Sequence, residues 1–286
     1  FTNSYADTAD WYPVKPCGKG DAAETCDAVE HQAETIEVAG AEPVTLDVPE
    51  TRYGPIIHAA QGKQPALALR WVAHQPGALN FGLSDFATAG DLSAALSVAQ
   101  RTATPAQNLV IADHNGRIAW RILGPLPSRA ASCPHTLELA PAAPAEDAAP
   151  QSPDSCRPWV ISNQLSPVLT SQTSHRLWTA NARVLDGPAL ARVGDGGYAL
   201  GARAKQIRDG LLAKETFTEK DLLAIQLDDR ALFLQRWWQL LQDEAKRLPA
   251  DSSVKALADA GKTWEGVASI DSVSYRLVRA WRLAVH

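Results

Sequence analysis

Four groups of polar residues in this sequence could take part in chemistry. They are Asn3 with Asp7 and Asp10, residues 113–115, residues 179–183, and Arg203. Taken singly, each group is more typical of turns and helix caps than of catalysis. The sequence contains no Gly-x-Ser-x-Gly elbow, phosphate-binding glycine loop or His-Glu-x-x-His motif.

The first 125 or so residues are predicted to form mainly strands. Apolar and β-branched residues cluster at residues 34–38, 44–48, 67–73, 108–112 and 117–123. The first two predict a hairpin around residues 39–43, and the last two a second hairpin, whose Asn115-Gly116 pair is the strongest turn signal in the chain. One helix is predicted at residues 91–101, with Asp91 as its N-cap.

From about Tyr198 the apolar residues follow a helical period. Helices are predicted at residues 202–214, 219–226, 231–246, 253–260 and 274–285, with Thr218 and Ser252 as caps. A β-rich part, residues 1–197, followed by an α-helical part, residues 198–286, indicates an α+β fold. Residues 128–157 are rich in Ala, Pro, Ser and Asp, which predicts a long insertion loop.

Composition excludes several classes of protein. The 286 residues carry a net charge of −5 with no basic run, so nucleic acid is not an expected partner. No apolar stretch approaches the roughly 18 residues of a membrane helix, so no membrane span is expected. The chain begins with Phe1 and contains no methionine. We therefore expect a processed or incomplete segment.

Four cysteines form two sequence-local pairs, Cys17 with Cys26 and Cys133 with Cys156. Three pairings are possible, and the local one is the simplest. It predicts two disulfides, one of them closing the insertion loop, and an oxidising compartment, periplasmic or secreted. The alternative is four buried thiols in a cytosolic protein. No cysteine or histidine spacing is typical of a zinc site.

Three phrases occur in an order that resembles the penicillin acylase family. They are TRYGPII at residues 51–57, PAQNLVIAD at 105–113 running on to GPLPSR at 124–129, and WTANARV at 178–184. The family includes penicillin, cephalosporin and acyl-homoserine-lactone acylases, which are N-terminal-nucleophile amidohydrolases. The resemblance implies an αββα sandwich, here a portion of it followed by an α-helical region.

In that family the nucleophile is the serine at the free N-terminus of a β-chain, whose amino group can act as the base. Phe1 is not that serine, so the resemblance places this chain inside the β-chain, without its nucleophile end or its C-terminal part. The backbone N–H at Asn3 and the side-chain amide of Asn181 match the oxyanion-hole donors. Arg203, 22 residues after Asn181, matches an arginine near the active site. The alternatives are that Asn181 closes a turn and Arg203 caps a helix.

Asp7, the carbonyl of Ala9, and Asp10 match ligands of a structural calcium ion found in some members. Thr8 replaces a family acid. Arg192 stands at the spacing of a further carboxylate, while Asp186 and Asp195 lie nearby. A solvated acidic turn is the alternative to a metal site. No organic cofactor is implied.

The resemblance implies hydrolysis of an acyl amide, such as an N-acyl homoserine lactone or a β-lactam. Trp11 and Tyr12, which follow the oxyanion segment, are candidate walls of the acyl pocket. The implied partners are the remainder of the precursor and the small-molecule amide. A non-catalytic homologue, acting as a structural or binding subunit, is the alternative function.

Overall fold

The computed structural model describes residues 1–22, 25–129, 159–170 and 175–285. Residues 130–158, which contain most of the predicted insertion loop together with Cys133 and Cys156, lie outside the described residues. The chain divides into two compact units, Phe1–Gly201 and Ala202–His286. The first contains the strands and the second is helical, so the fold is a mixture of helices and antiparallel sheets.

Within the described part of the chain, the strands of the first unit form a four-stranded, a five-stranded and a two-stranded sheet. The strands are β1 (Thr2–Asn3), β2 (Ala9–Val14), β3 (Glu30–Ile36), β4 (Val44–Thr51), β5 (Gly54–His58), β6 (Ala66–Trp71), β7 (Gln107–Ala112), β8 (Ile118–Leu123), β9 (Leu126–Ser128), β10 (Val160–Ser162) and β11 (Val168–Thr170). Their orders are β1-β7-β8-β11, β2-β6-β5-β4-β3 and β10-β9. Neighbouring strands are antiparallel throughout.

Both predicted hairpins are confirmed. Strand β3 pairs with β4, and Ile36 opposite Val44 is the pair nearest the turn. Strand β7 pairs with β8 from Ala112 opposite Ile118, across a turn in which Gly116 has a φ of 75°. The strand predicted at residues 67–73 ends earlier, at Trp71, because the chain turns there into a 3-10 helix, Val72–His74.

The helices of the first unit are α1 (Leu92–Arg101) and α2 (Gly187–Val193). Asp91 caps α1 as predicted, since its carboxylate accepts a hydrogen bond from the backbone N–H of Ala94. The prediction missed α2, which is seven residues long and too short to show a helical period. A further 3-10 helix, Gly82–Thr88, was also missed.

The predicted helices of the second unit are confirmed to within three residues at each end. They are α3 (Ala202–Leu212), α4 (Glu219–Gln226), α5 (Leu232–Ala245), α6 (Ser253–Ala260) and α7 (Val273–Val285). Thr218 and Asp221 form a reciprocal capping box at α4, and Ser252 caps α6. Helices α5, α6 and α7 share an apolar core around Leu241 and Val278. No helix in the described residues is long and apolar enough to cross a membrane.

The four-stranded sheet has a packed layer on each face. Trp120 and Ile122 of β8 face a core that includes Leu185 and Val193. Leu123, which alternates to the other face, packs with Ala99 of α1. Of the residues that the sequence singled out for chemistry, this sheet carries Asn3, because β1 forms one of its edges.

Gly54, in the first of the motif phrases, lies where no side chain fits. Its φ is +139°, and a Cβ atom built there would stand 2.2 Å from the carbonyl oxygen of Leu69 on β6. Gly40, in the β3–β4 turn, also has a positive φ, +78°, but no atom lies within 4 Å of its Cβ position. Substituting Gly54 and Gly40 in turn therefore separates the cost of a backbone clash from the cost of an unfavourable φ.

We expect Gly54→Ala to lower the free energy of unfolding of the full-length protein by about 3 kcal/mol or more, because strain and overlap both act. Gly40→Ala should cost only about 1 kcal/mol. Urea unfolding followed by circular dichroism measures both. Equal losses in the two variants would show that the contact with Leu69 has no role.

Candidate active site

The backbone N–H of Asn3 points away from the sheet. Ser4 donates its backbone N–H to the carbonyl of Ala106, 3.4 Å away, while Asn3 stands opposite Gln107. Hydrogen-bonded and non-bonded pairs alternate along antiparallel strands, so the Asn3–Gln107 pair is the non-bonded kind. The N–H of Asn3 is therefore directed towards the outer edge of the sheet.

Asn108 of β7 bonds to the backbone of Asn3, although the sequence did not indicate a role for it. Its side-chain amide donates to the carbonyl oxygen of Asn3 at 2.8 Å and accepts from the indole N–H of Trp120 at 3.1 Å. Asn108 and Trp120 are buried. An asparagine directly before the apolar run of β7 is the signal that could have identified it, since a buried amide needs partners.

Asn181 lies between two buried alanines, Ala180 and Ala182, in a segment without regular secondary structure. Its backbone carbonyl accepts a hydrogen bond from the N–H of Ala199 at 2.9 Å. The residues just after it, Val184 and Leu185, pack into the core beneath the four-stranded sheet. The position of Asn181 is thus fixed by its backbone hydrogen bond and by the packing of the residues that follow it.

One segment, residues 193–199, joins the chain after Asn3 to the chain around Asn181. Near its start, the N–H of Asp7 donates to the carbonyl of Val193 at 2.9 Å, and the N–H of Gly196 donates to Tyr5 at 2.8 Å. Its last residue, Ala199, bonds to Asn181. The chain segments that contain the two predicted oxyanion donors therefore belong to one hydrogen-bonded assembly, although Asn3 and Asn181 are 178 positions apart in sequence (181 − 3).

Asp7 and Asp10 are buried around the guanidinium of Arg129. Arg129 donates from Nε and Nη2 to the two oxygens of Asp10, at 2.8 and 3.0 Å, and lies 3.2 Å from a carboxylate oxygen of Asp7. The indole N–H of Trp159 also donates to Asp10, at 2.6 Å. The Arg129 side chain is only 5% exposed. A buried pair of carboxylates thus faces a cation supplied by the chain itself.

This arrangement differs from an oxygen-lined calcium site. A calcium ion takes six to eight oxygen ligands, whereas here a guanidinium contacts both carboxylates of Asp7 and Asp10. Nor do the described ranges contain a cluster of three or more His, Cys, Asp or Glu residues suited to a metal. In the described residues Arg129 supplies the positive charge at these carboxylates, and calcium binding at Asp7, Ala9 and Asp10 stays a prediction to be tested against it.

Arg129 is also the last residue of the motif phrase at residues 124–129. Strand β9, which precedes it, pairs with β10, and this pairing carries Arg129 towards Trp159. The guanidinium lies 5.6 Å from the centre of the Trp159 ring. A structural role for the end of this phrase follows from these contacts.

The two aromatic candidates on β2 have different environments. The Trp11 ring is partly exposed and lies 5.0 Å from that of His58. Tyr12 is buried and stacked on Tyr53 with ring centres 4.3 Å apart. Burial, with a smaller effect from Asp10, raises the pKa of Tyr12 to about 12, so the phenol stays neutral. Their contribution to an acyl pocket stays a prediction.

Arg203 lies in the first turn of α3, in the second unit, and its proposed orienting role also stays a prediction. Cys17 and Cys26 form the predicted disulfide, with Cα atoms 4.9 Å apart. The second predicted disulfide, Cys133–Cys156, falls outside the described residues.

Comparison with known proteins shows the family to which this chain belongs. The model of the penicillin amidase family matches residues 1–286, so the chain belongs to that family. Among solved structures, a thermostable penicillin G acylase from Alcaligenes faecalis has a similar fold, with a TM-score of 0.62 and 20% identity. The match covers 93% of this chain and 47% of that one, so the chain spans about half the length of its structural relative. A search of curated proteins found no match.

Proposed function

We propose that the chain is the scaffold and oxyanion side of an acylase that hydrolyses the amide bond of an N-acylated small molecule. The observation that carries the proposal is the orientation of the Asn3 N–H at the sheet edge. The segments that contain Asn3 and Asn181 belong to one hydrogen-bonded assembly, and the chain is a member of the penicillin amidase family. The proposed parent fold is an N-terminal-nucleophile αββα sandwich, to which the four-stranded sheet and its two covering layers belong.

In the proposed mechanism, an N-terminal serine outside this chain attacks the amide carbonyl. Its own amino group accepts the hydroxyl proton and passes it to the departing amine. The Asn3 N–H and the Asn181 amide stabilise the negative charge on the carbonyl oxygen, and water then hydrolyses the acyl-enzyme. Both donors are neutral, so they stabilise the developing charge without binding a resting anion tightly.

The proposed substrates are N-acyl homoserine lactones or β-lactams carrying an acyl side chain. Trp11 is the better placed of the two aromatic candidates, because its ring is partly exposed whereas that of Tyr12 is buried. The cystine between Cys17 and Cys26 supports a periplasmic or secreted location. The proposed partners are an α-chain and the rest of the β-chain, released from one precursor.

N-terminal sequencing of the mature full-length protein tests the nucleophile. We expect a chain that begins with serine, some tens of residues before Phe1. Hydrolysis of phenylacetyl and long-chain acyl amides of a chromogenic amine tests the activity and separates the two acyl classes. A mature chain without an N-terminal Ser, Thr or Cys, and without acyl release, would favour the non-catalytic homologue.

The chain from residue 1 to residue 286, expressed by itself, is expected to release no acyl group, because the proposed nucleophile is outside it. Adding the missing parts of the protein in trans should restore the activity if they fold together. Hydrolysis by the isolated chain at the rate of the full-length protein would refute the proposed division of the active site.

A further inference from the structure

We propose that a pocket between α1 and the segment following β10 binds a carboxylate through Arg121. Arg121 is on β8, on the face that packs towards α1, opposite to the face of Trp120 and Ile122. It is 4% exposed. This pocket belongs neither to the oxyanion assembly nor to the Arg129 cluster, and the proposal does not depend on the proposed function.

The guanidinium of Arg121 contacts only backbone carbonyls in the described structure. Nε donates to the carbonyl of Ile122 at 3.1 Å, and Nη2 donates to that of Asn163 at 3.2 Å. Burial alone lowers its pKa, with no contribution from a neighbouring charge. Arginine nevertheless keeps its proton in proteins. The described residues therefore leave a buried positive charge without a counter-ion, which is unfavourable unless an anion pairs with it.

The surrounding cavity, about 360 Å³ in volume, is lined by polar groups as well as Arg121. Ser93, Ser97 and Gln100 lie on one face of α1, because they are separated by four and three residues. Asn163 contributes a buried side-chain oxygen with no partner in the described structure. The cavity thus offers a cation, hydroxyl donors and one further acceptor.

A carboxylate matches the cation and the hydroxyl donors of this cavity. Its two oxygens fit the fork of a guanidinium, and charge-assisted bonds of this kind are stronger than neutral ones. The serine hydroxyls can donate to the same oxygens. The carboxylate comes either from a small acid in solution or from an Asp or Glu side chain of the protein outside this chain.

Thermal unfolding of the full-length protein in sodium acetate, compared with sodium chloride at equal ionic strength, tests the free ligand. We expect acetate to raise Tm by about 3 °C or more and acetamide to have no effect. The Arg121→Met variant should lose the acetate effect. Persistence of that effect in Arg121→Met would overturn the proposal.

A carboxylate placed on α1 tests the charge independently of any ligand. Ser97→Asp should raise Tm above that of the neutral, similarly sized Ser97→Asn, and the difference should shrink in the Arg121→Met background. Arg101, whose Nη1 lies 3.3 Å from the Ser97 hydroxyl, is present in both backgrounds, so its contribution cancels in this comparison.

The same variants identify the source of the carboxylate. If a side chain elsewhere in the protein already pairs with Arg121, acetate has no effect, and both Ser97→Asp and Arg121→Met lower Tm. That result supports the site with an internal ligand. No acetate effect together with equal Tm values for Ser97→Asp and Ser97→Asn would overturn the proposal.

Discussion

Asn181→Ala in the full-length protein is expected to lower kcat for acyl-amide hydrolysis about 10²–10³-fold, the usual loss for one oxyanion-hole donor. The KM value should change little, because the negative charge develops in the transition state and not in the bound substrate. Steady-state kinetics with a chromogenic acyl amide measures both constants. The hydrogen bond from the N–H of Ala199 to the backbone carbonyl of residue 181 does not involve the side chain. It should survive the substitution, so Tm should be nearly unchanged.

Asn115→Ala is the matched control for this prediction. Asn115 is exposed in the β7–β8 turn, at the opposite end of β7 from its pairing with β1. It should keep the wild-type kcat. A fall in kcat of less than about tenfold for Asn181→Ala, in a folded protein, would remove Asn181 from the oxyanion hole.

Arg129→Met is expected to lower the free energy of unfolding of the full-length protein by about 3–5 kcal/mol. Removing one partner of a buried ion pair leaves the other charge uncompensated, and here two carboxylates, Asp7 and Asp10, would remain in the interior. Urea unfolding of the wild type and the variant at neutral pH measures the loss.

The control is Arg101→Met, in the same unit. Arg101 pairs with Asp85 on the surface, where its side chain is 56% exposed, so its loss should cost less than about 1 kcal/mol. Similar losses in the two variants would contradict the role given to Arg129.

Calcium binding is tested by thermal unfolding with and without a chelator. If Arg129 is the cation of the Asp7–Asp10 site, a chelator should leave the wild-type Tm unchanged, because no metal bridges the carboxylates. A chelator-dependent fall of several degrees, reversed by added calcium and abolished in Asp10→Asn, would establish the calcium site instead. Asp10→Asn alone should still destabilise the protein, because Arg129 and Trp159 both donate to Asp10.

The sequence predicted the elements that depend on neighbouring residues. The Asn115-Gly116 turn, the Asp91 cap and the Thr218 cap each concern groups within four positions of one another, and the structure confirms all three. Helix α2 was missed because its seven residues give no readable period. The four-stranded sheet could not be derived from pattern alone, since β1 is two residues long and pairs with a strand about a hundred positions away.

For this protein, the sequence by itself determined the local elements, the Cys17–Cys26 pair and, through the ordered phrases, the family. Only the tertiary structure decided which groups face one another. The acids predicted for calcium contact Arg129, 119 positions from Asp10, and the Asn3 N–H takes its direction from pairing with β7. The physical reason is that backbone preference acts over a few residues, whereas charge pairing and strand register depend on how distant segments pack.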